Sequence, residues 1–156
     1  MQIIRLTDEL SPCFQTICDW NYQWWGAPRG KSKALVECFM KHCLCTGSRL
    51  PQTFVAVHDG TVRGMYQLSM SDDLESRPDI YPWLINVYVS EPYRGHGVAR
   101  QLLESVPVQA RQLGLHELYL YTKHIGFYEK FGWNFVEFVD TFEKDSPKER
   151  LYKLIV

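Results

Sequence analysis

Apolar and polar positions along this chain follow two periods, and each change of period marks an element. Residues 2–6 read as a short strand, and Thr7 or Asp8 is suited to cap a helix behind it. Cys13, Ile17, Trp20 and Trp24 then share one helical face. Gly26, Pro28 and Gly30 make residues 24–30 a loop, after which helical spacing runs from 31 to 45 and stops at Gly47. Residues 53–58 and 62–70 read as strands joined by Asp59-Gly60, a pair that accepts the positive φ of a tight hairpin. Residues 71–82 form a long loop punctuated by Pro78 and Pro82. Residues 83–89 are nearly all apolar, as in a central strand covered on both faces.

Further on, Ala99, Leu102, Leu103, Val106, Ala110 and Leu113 trace the buried stripe of a helix closed by Gly114, with Pro107 set to kink or split it. A strand at 117–122, a short helix at 125–131 closed by Gly132, and a strand at 133–139 follow. A polar stretch at 143–149 leads to a last strand at 150–156. No repeat, low-complexity segment or linker interrupts the pattern. The expected fold class is α/β (α+β): one domain over residues 1–156, with a mixed central sheet of six to seven strands and helices on both faces.

Composition narrows this picture. A chain of 156 residues suits one well-buried domain. With a formal charge of -1 and dispersed basic residues, nucleic acid is not an expected partner. The apolar runs fall short of the roughly 20 residues of a membrane span, and the first five residues are not a signal peptide, so a cytoplasmic protein is expected. The cysteines, Cys13, Cys18, Cys38, Cys43 and Cys45, are odd in number and confined to the first third, which favours reduced thiols over a disulfide framework. His42, Cys43 and Cys45 lack a second ligand pair at suitable spacing, so no metal is expected. Leu35, Cys38, Phe39 and Cys43 share helical spacing, and most of the cysteines read as small apolar core residues.

The candidate chemistry begins where Val87-Tyr88-Val89 runs through Ser90-Glu91-Pro92-Tyr93 into Arg94-Gly95-His96-Gly97-Val98-Ala99-Arg100. A glycine-rich turn opening a helix points several backbone amides the same way, reinforced by the helix dipole, and so forms an anion site suited to phosphate. Trp20, Tyr22, Trp24 and Trp25 are either core or the wall of a pocket whose aromatic faces attract a positively charged acceptor. Asp72, Asp73, Glu75 and Asp79 are either a solvated loop or a patch that draws in a cationic amine and supplies a base.

Arg94-Gly95-His96-Gly97-Val98-Ala99 resembles the R/Q-x-x-G-x-G/A loop of the GNAT superfamily of N-acetyltransferases. Gly126-Phe127-Tyr128-Glu129-Lys130-Phe131-Gly132-Trp133, about thirty residues later, resembles that family's second signature. The element order is similar over the whole chain. The resemblance implies acetyl-CoA as donor, with its pyrophosphate on the amides between Gly95 and Arg100 and its pantetheine arm paired with the backbone of Val87, Tyr88 and Val89. It also implies Tyr128 as the group that protonates or hydrogen-bonds the departing thiolate. At the ordinary phenol pKa of about 10, that tyrosine is a proton donor at neutral pH without special tuning. Thr122 stands where relatives often carry asparagine, with a hydroxyl available to the cofactor or a water. Glu91 occupies a position where many relatives have proline, and residues 83–86 hold no carboxylate to match the general base of some members.

The resulting expectation is direct acetyl transfer to a primary amine of a small-molecule or peptidic acceptor, by a monomer or homodimer without metal. The alternative is an acyl-CoA-binding sensor of the same fold that does not catalyse transfer. A nucleotide-binding role is disfavoured because the turn lacks a Gly-Lys-Ser/Thr ending.

Overall fold

A computed structural model describes residues 1–9, 11–72, 74–141 and 146–156. Among these residues the strands form one seven-stranded sheet in the order β1-β2-β3-β4-β5-β7-β6. They are β1 (Gln2–Arg5), β2 (Gln52–His58), β3 (Thr61–Ser69), β4 (Trp83–Val89), β5 (Glu117–Thr122), β6 (Asn134–Val139) and β7 (Glu149–Ile155). Three α-helices accompany them: α1 (Pro12–Asn21), α2 (Lys33–Leu44) and α3 (Val98–Gln112). The sheet is mixed, because β1 pairs with β2 antiparallel, β4 with β5 parallel, and β7 antiparallel with both β5 and β6. This agrees with the expected fold class. By its internal contacts the chain divides into two compact units, residues 1–67 with 86–102 and residues 68–85 with 103–156.

In the first unit, Leu6, Phe14, Ile17, Met40, Val55, Val62 and Met65 build the core with Cys13 and Cys18. The cap of α1 is Ser11 rather than Thr7 or Asp8: its Oγ accepts from Cys13 N at 3.3 Å, and Pro12 follows at the first helical position. The chain after Asn21 is not an open loop. Residues Tyr22–Gly26 continue as a π-helical turn and Ala27–Arg29 as a 3₁₀ turn, ended by Gly30 at φ +68°. Helix α2 starts at the cap of Ser32, whose Oγ accepts from Leu35 N at 3.1 Å. Its inward face differs in part from the expected one. Cys43 is buried as expected, but Leu35, Cys38 and Phe39 are exposed, and Met40, buried, and Val36, half-buried, take their place. Two apolar stripes lie on this helix, and the core takes the one a residue out of phase. The hairpin stands as expected, with Asp59 at φ +49° and Gly60 at φ +71°.

In the second unit, Leu74, Trp83, Tyr119, Val139 and Leu151 cluster, and Trp83 Nε1 donates to Ile80 O at 2.9 Å. The 143–149 stretch lies partly outside the described residues. Tyr128–Phe131 is a 3₁₀ turn, shorter than the helix expected at 125–131, because Gly126 turns left-handed at φ +71° and leaves Ile125 exposed. Helix α3 passes through Pro107 as one element. A proline removes a single intrahelical bond, and Val106 and Ala110 on either side of it are wholly buried. The helix closes with Gly114 N donating to Arg111 O and Leu115 N to Ala110 O, both at 3.0 Å, a Schellman pair around Gly114 at φ +72°. Val98 rather than Ala99 begins its buried stripe, and Leu113 lies beyond it, half-buried.

Candidate functional site

The glycine turn grows out of β4 through a 3₁₀ turn at Glu91–Tyr93, with Pro92 inside it. Gly95 and Gly97 both sit at φ +77°, and a Cβ at either would meet nothing within 4 Å. The glycines are therefore required by backbone conformation, and open space lies beside them. Gln101 N donates to Gly97 O at 3.1 Å, opening the ladder of α3, so the amides before it point out of the helix end. His96 Nδ1 lies 2.8 Å from Arg94 O; with a carbonyl as partner, Nδ1 carries the proton and donates. Arg94 Nε donates to Val89 O at 3.1 Å, and its guanidinium lies 5.8 Å from the Tyr88 ring centre. One side chain of the turn is thereby fastened to the strand that leads into it.

That strand departs from expectation. Trp83 and Leu84 are buried, but Ile85 through Val89 are only half-buried, so β4 is not covered on both faces along its length. Asn86 turns left-handed in mid-strand, at φ +54°. Among the described residues, Trp83↔Tyr119 is the single residue pair in the parallel ladder of β4 and β5. Gly64 of β3 lies against the same strand, where an added Cβ would come within 2.7 Å of Tyr88 O. Neither Asn86 nor Gly64 stood out in the sequence. An isolated glycine inside a strand pattern was the available sign of close backbone approach.

Trp20, Trp24 and Trp25 gather on Tyr88, with ring centres 4.9, 5.6 and 6.3 Å from it. The core reading holds for part of the group. Trp20 and Tyr88 pack against the first unit's core, while Trp24 is 47% exposed. Tyr22 is half-buried in the turn that carries them.

Thr122 and Tyr128 belong to the second unit. Thr122 is buried at the end of β5, and its Oγ1 accepts from His124 N at 3.1 Å, a local turn that occupies part of the hydroxyl's capacity. Tyr128 is 7% exposed, ringed by Phe127, Trp133, Tyr152 and His124. Burial alone pushes its phenol up to about 12, so the environment does tune this group, away from acidity. Beside it, Tyr152 donates to Glu129 Oε1 at 2.6 Å, which holds that carboxyl below its ordinary range.

Of the candidate bases, Asp73 lies outside the described residues. Asp79 accepts from Arg77 Nε and Nη2, both at 3.0 Å, and the guanidinium lowers its carboxyl. Arg77 also pairs with Glu137. A carboxylate held this way is a weaker base. Asp72 is half-buried and Glu75 exposed. Among the described residues no group of three His, Cys, Asp or Glu side chains is arranged to hold a metal. No helix among them is long and apolar enough to cross a membrane.

The model of the Acetyltransferase (GNAT) family matches residues 5–133. No curated protein sequence matches the chain. Among solved structures, a GNAT family acetyltransferase from Elizabethkingia anophelis with acetyl-CoA bound is 18% identical, with a TM-score of 0.68 over 99% of this chain and 97% of its own. An aminoglycoside 6'-N-acetyltransferase complexed with coenzyme A is 13% identical, with a TM-score of 0.75 over 99% and 97%. A variant of the spermidine N-acetyltransferase of Vibrio cholerae is 14% identical, with a TM-score of 0.71 over 99% and 95%. At these identities the likeness is one of fold, and the family match over most of the sequence carries the rest: the chain belongs to the GNAT family and is an acetyl-CoA-dependent acetyltransferase.

Proposed function

We propose that residues 1–156 act as one acetyltransferase domain that transfers the acetyl group of acetyl-CoA to a primary amine of a small-molecule or peptidic acceptor by direct attack. The observation that carries this reading is the turn at Gly95 and Gly97, both at φ +77° beside open space and feeding α3. That cradle fits a pyrophosphate on the amides between Gly95 and Arg100. Arg94, His96 and Val98 complete the turn, and Ala99 is small enough to leave the first helical turn open.

When bound, acetyl-CoA supplies a thioester whose carbonyl carbon accepts the amine. The backbone of Val87, Tyr88 and Val89 holds the pantetheine arm, and an amide there stabilises the developing oxyanion. The thin pairing of β4 with β5 supports leaving this segment to a ligand. Thr122 offers a second polar contact. Tyr128 is assigned the role of hydrogen-bond donor to the departing thiolate. Its phenol at about 12 stays protonated at neutral pH. Complete proton transfer to a thiolate of pKa about 8.5 would be uphill by about 5 kcal/mol, so stabilisation of the thiolate is its stronger role. The acceptor enters on the side of Trp24 and Trp25, where aromatic faces favour a cation.

The test is thiol release and acetylated product from acetyl-CoA across a panel of polyamines, aminoglycosides and peptide N-termini. Turnover of at least one amine class is expected. Tight acetyl-CoA binding without transfer to any of them would make the protein a sensor of the acyl donor instead.

A further inference from the structure

The interior of a β-strand is extended, and a non-glycine residue at positive φ there is strained unless its surroundings hold it. Asn86 at φ +54° is such a residue. Asparagine tolerates this conformation better than most residue types, yet tolerance does not hold a strand in place. The restraint lies in its side chain. Asn86 Nδ2 donates to Asn21 Oδ1 at 2.9 Å and to Gln67 Oε1 at 2.7 Å.

The orientation of all three amides is forced. Asn21 Nδ2 donates to Ile17 O at 2.9 Å, which leaves its Oδ1 as the acceptor toward Asn86. With Asn86 Nδ2 thus set as a donor, the Gln67 atom 2.7 Å from it must be the acceptor Oε1, and Gln67 Nε2 donates to Thr53 Oγ1 at 2.9 Å. A flipped Asn86 would set its oxygen against two carbonyl oxygens and lose both bonds. Thr53 and Gln67 are fully buried and Asn21 is 4% exposed, so water offers these groups little compensation. The chain of amides also spans elements. Thr53 lies in β2, Gln67 in β3, Asn86 in β4, and Asn21 closes α1 immediately before the turn that carries Trp24 and Trp25.

We propose that Asn86 is a positioning residue. Its amide, clamped by Asn21 and Gln67, locks the left-handed turn of β4, fixes the backbone of Val87–Val89 for the acyl donor, and ties that strand to the start of the aromatic turn. This inference rests on the reading of Val87–Val89 as the pantetheine strand.

The experiment measures acetyl-CoA binding by calorimetry, and KM and kcat with an amine that the wild type turns over. It uses Asn86→Ala, Asn86→Gly and Asn21→Leu, at a temperature where circular dichroism shows each to be folded. Wild-type binding of acetyl-CoA comes first, and its absence would overturn the donor assignment itself. Given that binding, Asn86→Ala and Asn86→Gly are expected to bind acetyl-CoA about tenfold more weakly, with KM for acetyl-CoA raised by a similar factor and kcat lowered as well, because the same backbone places the thioester. Glycine accepts the backbone conformation, so wild-type affinity in Asn86→Gly would show that φ alone sets the strand and would overturn the amide lock. Asn21→Leu leaves Asn86 intact and removes one acceptor, and an affinity loss of about threefold is expected. If the Asn86 variants do not fold, Asn21→Leu decides: unchanged acetyl-CoA affinity refutes the proposal. A purely structural role would lower the melting temperature without moving KM for acetyl-CoA in the folded protein.

Discussion

Gly64→Ala tests whether β4 is held by close approach of its neighbour strand. Gly64 does not sit at positive φ, so its lack of a side chain is a matter of space. An alanine Cβ would lie 2.7 Å from Tyr88 O, 3.0 Å from Leu102 Cδ1 and 3.2 Å from Val98 Cγ1. A leucine methyl can rotate away, but Tyr88 O is backbone. Carbon–oxygen contacts begin at about 3.3 Å, so the strand must retreat by about 0.6 Å. Leu102 and Val98 are themselves buried and give little room.

Overpacking of this kind costs about 1–3 kcal/mol. The smaller entropy of alanine in the unfolded chain offsets about 0.4–1 kcal/mol of that. A net loss of about 1–2 kcal/mol is expected, and at about 2–4 °C per kcal/mol for a domain of this size the melting temperature should fall by about 2–8 °C. Because the displaced atom belongs to the strand proposed to hold the donor, affinity for acetyl-CoA should fall in the same variant. Thermal unfolding and calorimetry read the two effects. An unchanged or raised melting temperature would refute the steric argument, and wild-type acetyl-CoA affinity in a destabilised protein would separate Tyr88 from the donor site.

Tyr128→Phe should lower kcat more than it weakens acetyl-CoA binding, and no alkaline limb from this phenol should appear in the rate profile below pH 10, because burial raises it to about 12. The stability consequence has a definite sign. Between about pH 10, where the unfolded chain's phenol ionises, and about 12, the native state holds the proton more tightly, so stability falls across that window, and the phenylalanine variant should lose this contribution. Trp24→Ala removes an exposed ring from Tyr88 and should raise KM for a cationic acceptor severalfold while leaving acetyl-CoA binding intact; equal effects on both substrates would remove Trp24 from the acceptor side. Native thiol titration should modify Cys38 and Cys45 quickly, with Cys13, Cys18 and Cys43 reacting only on unfolding, since all three are buried and burial pushes Cys18 and Cys43 up to about 11.

The sequence showed most clearly what is encoded by local chemistry. Asp59-Gly60 specifies its own turn, and the bounds of β4 and β5 follow from runs of β-favouring residues, so these elements fall where the pattern puts them. The glycine turn is legible for the same reason, because positive φ is written in residue type. What stayed hidden depends on which partner meets a residue. Helix α2 carries apolar stripes on two faces, and nothing within it says which one the core will take. In sequence the acidic loop stays open between a solvated face and a source of bases, and Arg77 between Asp79 and Glu137 cannot be seen there. Tyr128 looks like an ordinary phenol until the rings of Trp133 and Tyr152 close around it. Asn86 is the clearest case. An apolar run passes straight through it, and only buried acceptors on α1 and β3 give its left-handed turn a reason.

These features bear on where the rate comes from. The candidate base positions in β4 hold no carboxylate, Asp79 is neutralised by Arg77, and Tyr128 is tuned away from acidity. Among the described residues, Asp79 and Tyr128 are therefore poorly suited to strong proton transfer. The segment from Asn86 to Val89, in contrast, is fixed at three points: the Asn86 amide is clamped at one end, Arg94 Nε takes Val89 O at the other, and Gly64 lets its neighbour strand close on Tyr88 O between them. Holding two reactants in line can contribute about 7–11 kcal/mol, more than a well-matched acid or base, which adds about 10²–10⁴-fold. On the proposed reading, a site built this way would gain most of its rate by placing the thioester and an already neutral amine. Its activity should thus depend on the deprotonated fraction of the acceptor in solution, rising with pH toward the amine's own pKa and shifting when a less basic amine is used.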